Sequence, residues 1–254
     1  MSVLCVVQAR MSSSRLPGKI LAEVGGTPML AKVVARARRA LTVSSVVVAT
    51  TTNESDDAVE DLGASIDVAV VRGSELDVLS RYAATAAAFP EAEHIVRVTA
   101  DCPFIDPGVI DDVVRLCLDE DLGYGTNQPT NLVLQTFPHG LAVECFTRDV
   151  LERTSQEASQ RLEREHVTPA MYADPTVRVG HIAVERDYTA HRWTVDTPED
   201  LAVVRALHDA LGHSEPYGWR DILEVAERNP DLELANRGVH QKSVHEVDVR
   251  WSQE

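Results

Sequence analysis

Short apolar runs alternate with amphipathic helical patterns through the first half of the chain, and that rhythm constrains the fold more than any other feature. Val3 to Gln8, Ser45 to Ala49, Asp67 to Val71 and His94 to Val98 read as strands. Met29 to Ala40, Asp56 to Leu62, Glu75 to Ala88 and a segment from Pro107 to Leu118 read as helices. Strand, helix and strand in that order make βαβ units, whose strands pair in parallel and are covered on both faces. The expected fold class is therefore α/β, a Rossmann-like and mostly parallel sheet flanked by helices.

After Gly123 the rhythm changes. Tyr124 to Glu144 mixes Asn, Pro and Thr with short apolar stretches, which predicts a small antiparallel arm inserted at about 124–146. Thr147 to Gln156 and Arg161 to Tyr172 follow as helices and Thr176 to Val184 as a strand. In the helix from Thr197 to Leu211, apolar Leu201, Val204, Leu207 and Leu211 recur at helical spacing. Thr197 serves there as N-cap with Pro198 in the first position. No repeat or linker divides the chain, so one domain is expected over 1–236, with a polar tail at 237–254.

Charge narrows the function. The formal net charge is −16, from 24 basic and 40 acidic residues, and so acidic a chain is repelled by phosphate backbones, which disfavours nucleic-acid binding. No apolar run approaches the roughly 20 residues of a membrane-spanning helix, so no membrane partner is expected. Without a signal-peptide pattern at the N-terminus, the expected location is cytoplasmic. The four cysteines, Cys5, Cys102, Cys117 and Cys145, include no C-x-x-C pair, which argues against a zinc site or a disulfide framework.

Against that acidic background Arg10, Arg15 and Lys19 form a local positive island, with no acidic residue before Glu23. They lie in Gln8-Ala9-Arg10-Met11-Ser12-Ser13-Ser14-Arg15-Leu16-Pro17-Gly18-Lys19, directly after the first strand. Ligands of open α/β sheets bind beyond the carboxyl ends of the strands. A Ser- and Gly-rich loop there can turn backbone N–H groups toward one anion, and the three cations add charge-assisted hydrogen bonds. It is not a Walker A loop, because Gly18-Lys19 is followed by Ile20 and the spaced first glycine is absent. Two carboxylates follow apolar strands on the same edge: Asp101 in Arg97-Val98-Thr99-Ala100-Asp101-Cys102-Pro103, and Asp196 in Arg192-Trp193-Thr194-Val195-Asp196-Thr197-Pro198. Two carboxylates converging on substrate phosphates suit Mg²⁺. Either Asp alone could equally be a turn or cap residue; the pair beside a basic loop points to metal. Ser13 lies in no G-x-S-x-G elbow. Asp119-Glu120-Asp121 has D-x-D form but ends a helix and reads as a solvated charge run.

These segments together resemble the cytidylyltransferases that make CMP-activated acidic sugars, the CMP-KDO and CMP-acylneuraminate synthetases, and among them the spore-coat polysaccharide (SpsF-like) branch. The resemblance runs from Val6 to about Leu211. It includes Gln8 to Leu21, Ala49-Thr50-Thr51-Thr52-Asn53, Arg72-Gly73-Ser74-Glu75, Thr99 to Pro107, Phe137-Pro138-His139-Gly140-Leu141 and Arg164-Glu165-His166-Val167-Thr168-Pro169. It implies the nucleotide-diphospho-sugar transferase type of fold. It further implies that Arg10, Ser13, Arg15 and Lys19 hold the triphosphate of CTP, with Ala9 and Thr99 beside the nucleotide. Thr50, Arg72, Ser74 and Asp77 are expected near the cytosine and ribose, and Asp101 and Asp196 as Mg²⁺ ligands. His139 and Glu144 in the arm, with Glu165, His166 and Arg192, are the candidate acceptor contacts, the arm facing either the acceptor or a second subunit of a homodimer.

The implied reaction is in-line displacement at the α-phosphorus of CTP by a small anionic acceptor, a sugar acid or a small phosphonate, with Lys19, Arg15 and Arg10 stabilising charge as pyrophosphate leaves. Two other readings fit the same residues: a nucleotide-sugar-dependent glycosyltransferase of similar fold, and a non-catalytic CTP-binding protein.

Overall fold

The computed structural model describes residues 1–212 and 216–240. Most of the polar tail expected at 237–254, residues 241–254, lies outside the described residues. The strands are β1 (Val3–Gln8), β2 (Glu23–Val24), β3 (Thr27–Pro28), β4 (Ser45–Thr51), β5 (Ala69–Gly73), β6 (His94–Thr99), β7 (Tyr124–Thr126), β8 (Glu144–Thr147) and β9 (Val179–His181). The helices are α1 (Met29–Ala37), α2 (Asp57–Ser65), α3 (Val78–Ala88), α4 (Pro107–Asp119), α5 (Arg148–Glu157), α6 (Arg161–His166), α7 (Pro169–Ala173), α8 (Pro198–Ala210) and α9 (Trp219–Arg228).

Among the described residues, seven strands form one sheet in the order β5-β4-β1-β6-β8-β7-β9, while β2 and β3 make a separate antiparallel pair. β5, β4, β1 and β6 are mutually parallel. β8 runs against both β6 and β7, and β9 is parallel to β7. The antiparallel element expected at 124–146 is thus part of the main sheet: β8 inserts beside β6, and Arg97 sits opposite Glu144 in that register.

Alternation along β1 explains the two covering layers, because successive side chains of a strand point to opposite faces. Val3, Cys5 and Val7 join a core cluster with apolar residues of α1, α4, α8 and α9. Leu4 and Val6 join a second cluster with Leu79 and Tyr82 of α3, Leu151 of α5 and Met171 of α7. All four cysteines are buried and free. No helix of the described residues is long and apolar enough to cross a membrane.

Element ends differ from the sequence reading where local chemistry intervenes. The helix expected over Arg161 to Tyr172 is split into α6 and α7, because Val167 takes φ +71 and ends α6, and α7 starts afresh with Pro169 in its first position. The helix expected from Glu75 begins at Val78, since the Asp77 carboxylate caps Ser80 N–H at 2.9 Å. Only 179–181 of the strand expected over 176–184 pair.

Candidate active site

β1 passes the chain to β4 on one side, whereas β6 passes it toward β8 and β7 on the other. Loops that diverge in this way leave a crevice between the strands, where open α/β sheets bind their ligands. The loop after β1 folds back on itself: the Met11 carbonyl accepts from both Ser13 N–H and Gly18 N–H, each at 2.9 Å. Gly18 makes the return at φ +72, a conformation open to residues without a Cβ.

Two carboxylates fix this loop from outside. One Asp56 oxygen accepts Met11 N–H at 2.8 Å. The other accepts the Thr50 hydroxyl at 2.8 Å, the Thr51 hydroxyl at 2.6 Å and Thr51 N–H at 3.0 Å. Burial alone would raise the Asp56 pKa, but these donors together lower it. Glu75 accepts from Ser12 Oγ and from Asn53 Nδ2, and pairs with Arg10 at 3.6 Å.

Lys19 reaches the bottom of the crevice. Its ammonium donates to Asp101 at 2.7 Å, to the Val195 carbonyl at 2.8 Å and to Asp196 at 2.9 Å. Burial pushes the Lys19 pKa down, but attraction to Asp101 and Asp196 outweighs it and the net shift is upward. Burial likewise pushes Asp101 up, and Lys19 overrides it, holding that carboxylate down at about 2. Both groups are therefore charged at neutral pH. Asp196 also pairs with Arg15 at 3.0 Å and Arg192 at 2.9 Å. Beneath it, fully buried Asp200 accepts from Arg192 Nε at 2.9 Å and from the backbone N–H of Asp196 and Thr197 at 2.9 and 3.1 Å. The segments carrying Asp101 and Asp196 are joined directly, Val195 N–H donating to the Asp101 carbonyl at 2.8 Å.

The resulting cleft has a volume of about 220 Å³. Ala9, Arg10, Ser13, Arg15, Lys19, Thr99, Asp101 and Asp196 all line it, joined by Gln8, Ser14, Ile20 and Ala100. The structure gathers into one cleft residues that lie almost 190 positions apart in sequence, from Ala9 to Asp196.

Other candidates lie elsewhere. Thr50 is fully buried under the loop on Asp56. Arg72 turns to Asp57 at 2.7 Å and Glu60 at 2.9 Å. Ser74 accepts Asp77 N–H at 3.0 Å, and Asp77 caps α3 and pairs with Arg164 at 2.7 Å. Arg192, read from sequence as an acceptor contact, is buried behind Asp196 and organises it. Glu165 and His166 sit in α6 and do not line the cleft. His139 holds the arm to the Asp196 segment: its N–H donates to the His191 carbonyl at 2.9 Å and its carbonyl accepts Trp193 N–H at 2.7 Å. Burial, then the nearby Arg192 charge, lowers the His139 pKa.

Glu144 is the hub of a network beside the cleft. It pairs with Arg97 and accepts from the Tyr124 hydroxyl at 2.7 Å and the Thr168 hydroxyl at 2.6 Å. Burial raises its pKa, and Arg97 with these hydroxyls overrides that and lowers it. Arg97 reaches the cleft wall through Gln8 Oε1 at 3.3 Å. Asp56, Glu75 and Asp200 are the supports that sequence reading passed over. For Asp200 a signal existed, since Thr197-Pro198-Glu199-Asp200 has capping-box form and does form that box in α8.

The chain is similar to known proteins over most of its length. Residues 4–229 match the family described as cytidylyltransferase. The spore coat polysaccharide biosynthesis protein SpsF of Bacillus subtilis is 31% identical over 237 residues, covering 90% of this chain and 95% of that one. A 3-deoxy-manno-octulosonate cytidylyltransferase of Anaeromyxobacter is 30% identical over 240 residues, covering 81% and 97%. A solved cytidylyltransferase from Leptospira borgpetersenii superposes with a TM-score of 0.84 at 31% identity, covering 96% and 99%.

Proposed function

The chain belongs to the cytidylyltransferase family, and from that premise we propose that it transfers CMP from CTP to a small anionic acceptor, a sugar acid or a small phosphonate, releasing pyrophosphate. One observation carries the reading: three cations of a single loop and two carboxylates far apart in sequence line one cleft at the sheet's switch point. Asp101 stands just after β6, and Asp196 lies in a segment that forms only an isolated bridge at Arg192 rather than the expected strand.

The donor set fits Mg²⁺. The Lys19 ammonium is a stand-in cation, and around it converge Asp101, Asp196 and the Val195 carbonyl, three hard oxygen donors within 2.9 Å. Among the described residues no group of three or more His, Cys, Asp and Glu forms a metal cage. Mg²⁺ usually takes one or two carboxylates together with substrate phosphates, and Asp101 and Asp196 would supply those carboxylates. Held by Asp101 and Asp196, Mg²⁺ would supply Lewis-acid neutralisation of phosphate charge.

The chain's own groups then have defined tasks. Arg10, Arg15 and Lys19 bind the triphosphate, exchanging carboxylate partners for phosphate oxygens, and Ser13 and the backbone of the loop complete the cradle. An acceptor oxygen bonds to the α-phosphorus while the bond to the α–β bridging oxygen breaks, and pyrophosphate leaves with that electron pair. The acceptor's proton, where it has one, passes to solvent. Lys19 and Arg15 are placed to stabilise the charge on the leaving oxygens. Gln8 and Thr99 line the same cleft, with the Arg97–Glu144 network behind Gln8. The exposed apolar pair Val133 and Leu134, 88% and 40% exposed, is the surface we assign to a second subunit. A homodimer would show a light-scattering mass of twice 27.8 kDa.

The test is pyrophosphate release with Mg²⁺ and each of CTP, UTP, ATP and GTP, against a panel of sugar acids and small phosphonates. Release with CTP and one acceptor is expected. Release with another triphosphate would overturn the base assignment. No pyrophosphate from any triphosphate, together with release of a nucleoside diphosphate from a nucleotide-sugar, would favour glycosyl transfer.

A further inference from the structure

The match to the family ends at residue 229, yet the residues after it reach back into the site. A single 3-10 turn spans Pro230–Glu233. From it, one Glu233 oxygen accepts the Trp193 indole N–H at 2.8 Å and the other contacts His191 Nδ1 at 2.8 Å. Asn236 is buried, with 4% exposure, and its amide donates to the Arg192 carbonyl at 2.9 Å and to Asp200 at 3.0 Å. Farther on, the His240 carbonyl accepts from Arg15 at 3.4 Å. Residues 233–240 thus hold three consecutive residues, His191 to Trp193, just before the Asp196 carboxylate. They also touch a cation of the triphosphate loop.

We propose that Glu233 and Asn236 are positioning residues that set the Asp196 carboxylate for the metal ion, making the segment 230–240 a clasp on the active site. The proposal rests on the cytidylyltransfer reading above. The route is short. Asn236 supplies one N–H to Asp200; Asp200 holds the Asp196 backbone N–H and the Arg192 guanidinium; Arg192 holds the Asp196 carboxylate. Asp200 is fully buried and surrounded by donors, so a missing or reversed donor at Asn236 cannot be replaced by water. Groups that orient a metal ligand in this way typically change metal affinity by about 10–100-fold when altered.

Two isosteric substitutions in the full chain test this. Asn236→Asp replaces a donor amide with a carboxylate facing Asp200. Glu233→Gln removes the charge facing His191 and keeps the size. The probe is Mn²⁺ titrated into the enzyme with CTP and no acceptor, free Mn²⁺ being read by electron paramagnetic resonance. CTP affinity in chelator and the melting temperature are measured alongside. Each variant is expected to bind Mn²⁺ about 10-fold or more weakly than wild type, with a smaller change in CTP affinity in chelator. Folded variants with wild-type Mn²⁺ affinity, whatever their melting temperature, would overturn the clasp and leave the function standing. Should Asn236→Asp fail to fold, Glu233→Gln decides alone by the same criterion. Wild type that binds no Mn²⁺ with CTP would overturn the reaction assignment and the clasp with it.

Discussion

At Lys19 two effects of opposite sign meet: burial strips water from the ammonium, and Asp101 and Asp196 replace it with charged oxygens at 2.7 and 2.9 Å. Removing one partner of such a buried set leaves the rest uncompensated. Asp101→Ala is therefore expected to lower turnover on the order of a hundredfold or more, as for loss of a preorganised electrostatic contact, while Lys19 keeps Asp196 and the fold persists. Pyrophosphate release at saturating CTP, beside an unchanged circular dichroism spectrum, checks this; near-normal turnover would remove Asp101 from the mechanism. Asp56 makes a different prediction. Its four accepted hydrogen bonds shape the triphosphate loop, and an amide must point its NH₂ at one or more of those donors. Asp56→Asn should cost about 2–3 kcal/mol in denaturant melts, the scale of hydrogen bonds to a buried charge, and raise the KM for CTP. Unchanged stability would mean that Asp56 is not the loop's anchor. The two aspartates also differ in how visible they are in sequence. Asp101 stands directly after an apolar strand, where chemistry and position coincide. Asp56 lies in Asn53-Glu54-Ser55-Asp56-Asp57, one of several acidic residues, and only the fold brings it to Met11.

Elements show the same division between local and long-range information. β1 and β4 were legible because a strand buried on both faces is a continuous apolar run. The edge strand β5 and β6 were legible because their short apolar runs alternate with helical patterns, and α4 because Pro107 and its apolar period mark one helix. The break between α6 and α7 was missed although Pro169, in the first position of α7, is a helix-start signal; the positive φ of the fully buried Val167 has no such local mark. Nor could spacing reveal that β8 inserts beside β6, because partner choice between distant strands is not a local property. Asp106 shows how far one side chain can bind elements together. One oxygen caps α4 through Gly108 and Val109 N–H, at 2.7 and 3.1 Å, and the other accepts Trp219 N–H of α9 at 2.7 Å. Asp106→Ala uncaps two helices at once and should cost about 2 kcal/mol, twice a typical cap; a loss under about 0.5 kcal/mol would show that the two ends find other partners. Gly140 joins the arm to the Asp196 segment at φ +105, where an added Cβ would lie 2.6 Å from Thr194 N and from the Trp193 carbonyl carbon. Gly140→Ala should therefore lose roughly 2–4 kcal/mol from strain and overpacking. Activity should fall with it, because the His139 bonds to His191 and Trp193 must part; melting and turnover measured together would show an uncoupled loss if the arm were independent of the site.

For the whole molecule, the charge balance and the buried titratable groups act on stability in different pH ranges. Asp56, Asp101, Glu144 and Asp200 all have folded pKa values below their ordinary ones. Between folded and unfolded values the unfolded chain binds the protons, so stability rises with pH there and is fully present above about 4.5, the ordinary Glu value. His94 and His139 are lowered by burial from 6.5, and a depressed histidine has the same sign: its contribution is complete above 6.5 and is lost as pH falls. The melting temperature should accordingly decline gently from about pH 6.5 to 5 and steeply below about 4.5. On the alkaline side the opposing term is self-repulsion of a chain with net charge −16. That repulsion acts between exposed charges over many ångströms and is screened at about 8 Å in physiological salt, whereas the pairs at Lys19, Arg97 and Arg192 are close and buried and are screened little. Added sodium chloride should therefore raise the melting temperature at pH 8, with a smaller rise near pH 5, close to the pI of about 4.9. Calorimetry in chelator across that grid of pH and salt separates the two terms. A melting temperature that falls with salt at pH 8 would show that the ion pairs, rather than the surplus of carboxylates, govern the electrostatic part of this fold's stability.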